Sequence, residues 1–485
     1  MTILSKAWNN FKAQPDAWLF YSFLLTFTLS IRKVFFFYPI SGNFNEYTGI
    51  YLYLSDIFLI LTILVWIFTI LRNKKLKLSS YIQSFSRRDS YILVLVLAAW
   101  AFMSISWSGN TNLALFKALK LAEFSLLFLY MAYNALNKPI IRSIVGFIVI
   151  LGFIQAIIGI SQAVLQHSVG LFWLKESLIS VNIDGVAKIV FFGHKFIRAY
   201  GLFQHPNILG GFLLMSIVLT FTYRKMFHME HFNVSWGKAL AYFILFIQVI
   251  ALFLTFSKSA IMGLFFVICY MAYTIFHPSR NKNVSRETFL SYGASVKHFY
   301  KYIITSVVFL GLFLSVLGFN INSLLLKSFN ERLLFLNVSR ETIVGNPIVG
   351  LGMGQFVVEM QKYSPVFLAN WQYQPVHNVF LLIWSELGII GLVLFILFLW
   401  KVFRVNEMFH PSRNENVSRE TFSSYGTSVE QSRVLWDRTI FTGILLGFII
   451  IMLFDHYFWD IQQGQIMLWM ILGLVAGASI KNNNK

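Results

Sequence analysis

YLYLSDIFLILTILVWIFTILRNKKLK, residues 51–77, decides the fold. From Ile57 to Leu71 it carries no charged side chain. With the apolar residues ahead of Asp56, the stretch as a helix reaches across roughly 30 Å of hydrocarbon at about 1.5 Å per residue. It ends in Arg72, Lys74, Lys75 and Lys77, the kind of cation run that cytoplasmic loops retain. One segment therefore supplies both a span and a side. The whole chain of 485 residues follows suit, with 57% hydrophobic, 18% aromatic and only 12% charged residues, a balance that a water-soluble core does not need. The expected fold class is all-α: a polytopic membrane protein forming a single integral membrane domain over 1–485. Apolar blocks place about twelve transmembrane helices at 17–37, 50–71, 91–107, 113–134, 143–165, 207–223, 239–256, 259–276, 302–321, 378–400, 439–456 and 466–480.

The net charge of +19 would suit a nucleic-acid partner if it were clustered. Instead, Lys and Arg collect in alternate loops: Lys6 and Lys12, Arg72 to Arg88, Lys138 and Arg142, Arg224 to Lys238, Arg280 to Lys301, Lys401 to Arg438, and Lys481 with Lys485. Retention of cations in the cytoplasm accounts for this alternation, so no nucleic acid is expected and both termini are expected inside. The connections 108–112 and 457–465, on the opposite side, contain no Lys or Arg. The first span is too long for a signal peptide, meets Arg32 and Lys33, and shows no small-residue cleavage site, so it is expected to stay in the membrane. The single cysteine, Cys269, excludes a disulfide within the chain and argues against a thiolate metal site.

Two outward segments are long enough to build structure: 166–206, and a large loop or cap at 322–377 between spans 9 and 10. The second mixes charges with Pro347, Gly350, Gly352 and Gly354, which predicts short helices broken by turns. The cytoplasmic loops 277–300 and 404–437 carry a repeat: HPSRNKNVSRETFLSYGASV at 277–296 returns as HPSRNENVSRETFSSYGTSV at 410–429, and NVSRET recurs at 337–342. Copies at irregular spacing on both sides of the membrane do not stack into a solenoid. They read as polar insertions without a catalytic role. Val-Ser-Arg-Glu-Thr can be encoded by GTT TCA CGT GAA ACA, which holds the palindrome GTTTCACGTGAAAC and resembles a bacterial chromosome-partition site. The hypothesis that the peptides are translated copies of a DNA repeat fails if the gene uses unrelated codons at the three copies.

The informative residues are the cations that topology does not explain. Loop 166–206 holds Lys175, Lys188, Lys195 and Arg198 against only Glu176 and Asp184, and Lys258 lies at the outer mouth of span 8. Such a surface suits a polyanion at the bilayer face, with a lipid-linked diphosphate as the chemistry that Arg and Lys recognise. The competing reading is that these side chains snorkel to headgroups. His377, in QPVHNVFLLIW where the large loop meets span 10, can take a proton from an attacking hydroxyl. A capping or interfacial role is its alternative, as it is for His205 in QHPN. Glu386 lies about two and a half turns below His377, where it orients a polar element or serves the helix alone. Asp56, Lys117, Lys120 and Glu123 are the remaining charges within spans; Lys120 and Glu123 are spaced to pair on one helix face.

RAYGLFQHPNILGGF at 198–212, LTFSKSAIMG at 254–263, NPIVGLGMGQF at 346–356 and HNVFLLIWSELGIIGL at 377–392 together resemble the O-antigen ligase and polymerase superfamily. The resemblance runs over roughly 140–475; the first four spans match only in number and hydropathy. It implies a multi-pass glycosyltransferase of the bacterial cytoplasmic membrane that moves a glycan from an undecaprenyl-diphosphate carrier to a lipid, glycan or protein acceptor on the outer face. Carried over residue by residue, it makes His377 the candidate catalytic base and Arg198 and Lys258 the diphosphate ligands; the outward cation Lys195 is a further diphosphate candidate, and His205, Asn207 and Glu386 are supporting candidates. It implies direct transfer with inversion and no metal or other cofactor. Lys258 stands where the family usually has arginine, which keeps the charge and loses the bidentate fork. NVSRET at 337–342 interrupts what resembles an amphipathic helix in related chains. A transporter or flippase of lipid-linked or small anionic substrates is the alternative, although no half-to-half repeat supports it. A third, purely structural subunit would need none of the outer cations.

Overall fold

In the computed structural model, which describes residues 14–72, 89–191, 193–226, 235–276, 321–404 and 425–478, the chain is a bundle of helices with two small hairpins. The helices are α1 (Pro15–Phe27), α2 (Leu54–Arg72), α3 (Asp89–Met103), α4 (Thr111–Asn134), α5 (Lys138–Leu165), α6 (Pro206–Met226), α7 (Ser235–Leu254) and α8 (Lys258–Phe276). They continue as α9 (Ile321–Gly345), α10 (Phe356–Tyr363), α11 (Val379–Arg404), α12 (Tyr425–Met452), the single turn α13 (Tyr457–Asp460) and α14 (Gln462–Gly477). Among the described residues, α2, α3 with its extension to Trp107, α5 and α11 are long and apolar enough to cross a membrane. Shorter apolar helices lie in α6, α7, α8 and α12. The expected span 302–321 as far as residue 320, the repeat at 277–296 and its copy at 410–429 as far as residue 424 lie outside the described residues.

Burial explains which helices form the centre. α14 is buried along its whole length, and so is α6 from Ile208 to Thr220, with Asn207 half-buried at its mouth. Gly473 and Gly477 let α14 lie directly on α4, because a Cβ there would meet the carbonyl oxygens of Phe128 and Ala132 at 2.6 and 2.2 Å. Small residues at such a contact give backbone approach that apolar bulk alone cannot supply inside lipid.

Several expectations need correction. The first span was expected over 17–37, but α1 ends at Phe27 and residues 32–37 form β1 (Arg32–Phe37), antiparallel to β2 (Gly49–Tyr53). The run RKVFFF is aromatic and β-branched with two cations at its head, which favours a strand at the interface over a continued helix. A second hairpin, β3 (Lys188–Phe191) with β4 (His194–Ile197), occupies loop 166–206, so the architecture is helical with strands and not strictly all-α. The segment 322–377 opens with the continuous α9, and the short helices expected there follow it: α10 after the glycine-rich turn, and a 3-10 turn at Asn370–Gln372. NVSRET extends that helix: Val338, Ser339 and Thr342 are buried beside Phe335 while Arg340 and Glu341 are exposed, so the peptide follows the helical period. In the segment 404–437, α12 already begins at Tyr425.

The glycine-rich turn that follows α9 is fitted into a break in α11. Gly388 takes φ +68° and interrupts the helix, which frees backbone groups that lipid cannot satisfy. The loop satisfies them: Leu351 and Gly352 N–H donate to the carbonyls of Ser385 and Glu386 at 3.0 and 2.8 Å, and Ile389 N–H donates to that of Pro347 at 2.9 Å. At Gly350 a Cβ would lie 2.4 Å from the Glu386 oxygen, so only glycine permits this approach. The consequence is a fixed outer end of α11, the part that carries His377.

Candidate active site

The site begins at a turn between helices. Thr255 and Phe256 close α7, with Phe256 at φ +48°, and Lys258 opens α8, exposed at its first position. Arg198, just past β4, donates through Nε to the Thr255 carbonyl at 2.6 Å, and Ala199 N–H donates to that of Leu254 at 2.9 Å. These bonds bring the two cations to one mouth. Arg198 Nη2 also donates to Asn207 Oδ1 at 2.5 Å, while Asn207 Nδ2 donates to Asp455 Oδ2 at 2.6 Å. Asn207 is thus the bridge between a cation and a carboxylate 248 residues away. His205 shapes the turn that presents it, accepting from Asn207 N–H at 3.2 Å through Nδ1.

His377 lies against this network. Its ring is nearly parallel to Phe335 of α9, 5.6 Å between centroids at 14°, and is met edge-on by His456 at 5.1 Å and 83°. Asn378 anchors the same corner: its side chain caps Leu381 N–H at 3.0 Å and donates to the Leu453 carbonyl at 3.1 Å. His456 Nδ1 is 2.9 Å from Asp460 Oδ1. The His377 Nδ1 atom is buried and has no hydrogen-bond partner among the described residues.

Electrostatics assign protonation. Burial, reinforced by His456, lowers the His377 pKa to about 3, so the ring is neutral and able to accept a proton. Burial and Arg198 bring His205 to about 3 as well. Burial opposes charge on His456, but Asp460 outweighs it and raises the pKa. Asp455 is pushed upward by burial and more strongly downward by His456, His377 and His205, so it stays a carboxylate. Burial lowers Arg198 to about 10, which leaves it protonated at neutral pH.

Arg332, one turn before Phe335 on α9, completes the picture: its charge acts on Arg198, Lys258 and His377. In the sequence it is one charge among several of the long segment 322–377. Asp455, His456 and Asp460 were missed altogether. The signal for them was DHYFWD at 455–460, two acids and a histidine in a short outer connection without Lys or Arg.

The other expected site residues fall in three places. Lys195 is exposed on β4, opposite Val190 in the hairpin register, and no described contact joins it to Arg198. Glu386 is buried beneath the cluster, where its Oε2 accepts from Trp459 Nε1 at 3.3 Å and so braces α13 against α11. Asn207 and His205 sit at the centre of the network, which gives them more than a local role. Residues 243–396 match the family model described as O-antigen ligase. That stretch contains Lys258, Arg332, His377 and Glu386 and ends before Asp455. No curated protein matches the chain.

Proposed function

We propose that the chain, whose residues 243–396 match the O-antigen ligase family model, is a membrane glycosyltransferase that moves a glycan from an undecaprenyl-diphosphate carrier to a lipid, glycan or protein acceptor. The reaction takes place on the outer face of the bacterial cytoplasmic membrane, with about twelve spans and both termini in the cytoplasm. The observation that carries this reading is that Arg332 acts at once on a neutral His377 and on the two cations of the mouth, Arg198 and Lys258.

The acceptor hydroxyl attacks the anomeric carbon as its proton passes to His377, and the bond from that carbon to the diphosphate oxygen breaks on the opposite face. The configuration is inverted, and undecaprenyl diphosphate leaves. Its developing charge is met by Arg198, Lys258 and Arg332, placed before the reaction and needing no reorganisation. Asp455, held by Asn207, favours the His377 imidazolium that forms. Protein cations take the role that a metal ion has in other phosphate sites, so chelation with EDTA should leave the rate unchanged.

The test is transfer by the purified protein from undecaprenyl-diphosphate glycan to candidate acceptors, comparing wild type with His377→Ala and Arg198→Ala. Loss of transfer in both is expected. Unchanged transfer in both sinks the mechanism, and substrate flux into vesicles without any transfer favours a transporter.

A further inference from the structure

A second polar space lies next to the cluster, on the far side of Asp460. It is a cavity of about 30 Å³ between β2, α4 and the start of α14, and its walls include Arg32, Tyr53, Phe116, Lys117, Lys120 and Asp460. Two of its three cations are already paired. Arg32 binds Glu46 at 2.7 Å and the Tyr53 hydroxyl at 2.9 Å, and Lys120 binds Asp56 at 2.5 Å and Glu123 at 2.9 Å. Lys117 differs. Its stem crosses Gly354 of the glycine-rich turn, where a Cβ would come within 2.7 Å of it, yet its ammonium has no hydrogen bond or ion pair among the described residues. Asp460 spends Oδ1 on His456, while Oδ2 is buried and likewise without a partner.

An unpaired ammonium and an unpaired carboxylate oxygen facing one small space select for a group that both accepts and donates. A hydrocarbon would leave both charges unmet. A phosphate would oppose the free oxygen of Asp460, with Arg32 and Lys120 already neutralised by their own carboxylates. A neutral hydroxyl satisfies both, accepting from Lys117 and donating to Asp460, and the aromatic walls suit the apolar face of a sugar.

We propose that this cavity is an acceptor subsite that takes one hydroxyl arm of a neutral sugar, anchored between Lys117 and Asp460. The inference rests on the glycosyltransferase reading and deepens it. The volume admits a single hydroxyl-bearing arm and not a whole ring. Because Asp460 also holds His456, whose ring meets His377, a sugar anchored here lies beside the base.

Binding without turnover separates this from the transferase reading. Full-length protein in nanodiscs is titrated with methyl β-D-glucopyranoside and with inorganic phosphate as competitor, followed by saturation-transfer NMR. Lys117→Met is expected to weaken glycoside binding by about tenfold, Lys117→Gln by less because its amide still donates, and phosphate is expected not to compete. His377→Ala should bind the glycoside as the wild type does even though it fails in transfer. The thermal midpoint of Lys117→Gln, unchanged from the wild type, separates lost recognition from lost folding. Equal glycoside binding in wild type and both Lys117 variants, absence of glycoside binding, or displacement of the glycoside by phosphate each overturns the proposal. An ordered water holding Lys117 and Asp460 in the presence of saturating glycoside also does so.

Discussion

Two groups of charges lie within one helical bundle, and they are built on opposite plans. In the inner group, Lys120 of α4 meets Asp56 of α2 and Glu123 of its own helix, and Asp56 also accepts from Tyr53 N–H at 2.9 Å and from the Gln462 amide of α14. Its one cation faces two carboxylates, and its bonds tie three helices together. In the outer group, Arg198, Lys258 and Arg332 come together with, among the described residues, only Asp455 tied directly into the Arg198–Asn207 chain and no partner for His377 Nδ1. The difference teaches which charges hold the fold and which await a substrate. A paired buried charge is a structural joint, whereas cations gathered at a mouth form a site for an anion.

The largest effect that tests this contrast belongs to the inner group. Lys120→Met leaves two buried carboxylates unpaired, and thermal unfolding should report a loss of about 3–5 kcal/mol. An unfolding midpoint equal to that of the wild type would reverse the assignment. Arg332→Ala should do the converse, leaving the thermal midpoint near that of the wild type while lowering kcat/KM for the lipid-linked donor by about a hundredfold. A smaller effect is expected from pH. The His377 pKa is lowered to about 3, so the base is present above that value and is lost as pH falls through it. Transfer should therefore hardly change between about pH 8 and 5, instead of halving near the reference histidine pKa of about 6.5. A midpoint near 6.5 would mean that the ring is solvated during catalysis.

The legible part of the molecule was the part written locally. Apolar blocks and the cation runs beside them are one-dimensional signals, and α2, α5 and α11 follow them closely. RKVFFF was misread because hydropathy does not distinguish a strand at the interface from the end of a span. His377, Arg198 and Lys258 were legible because each breaks a pattern in its own neighbourhood. Asp455 and His456 gain meaning only through Asn207 and His377, far away in the chain, and no local pattern announces that contact. Arg332 was hidden differently: its loop became a helix, which sets it one turn before Phe335, the ring that stacks on His377. The NVSRET copy at 337–342 was expected to disturb this region, yet its valine, serine and threonine fall on the buried face of α9, with Ser339 Oγ 3.0 Å from Ser385 Oγ.

The central claim is that a neutral His377, within reach of the Arg332 charge, takes the proton from the acceptor. Its most direct test is the single-turnover rate of His377→Ala with saturating undecaprenyl-diphosphate glycan, measured alongside the affinity for that donor. The expected result is a rate lower by about 10²–10⁴ with donor affinity kept, because the cations remain in place. A rate equal to that of the wild type at full donor occupancy would contradict the account.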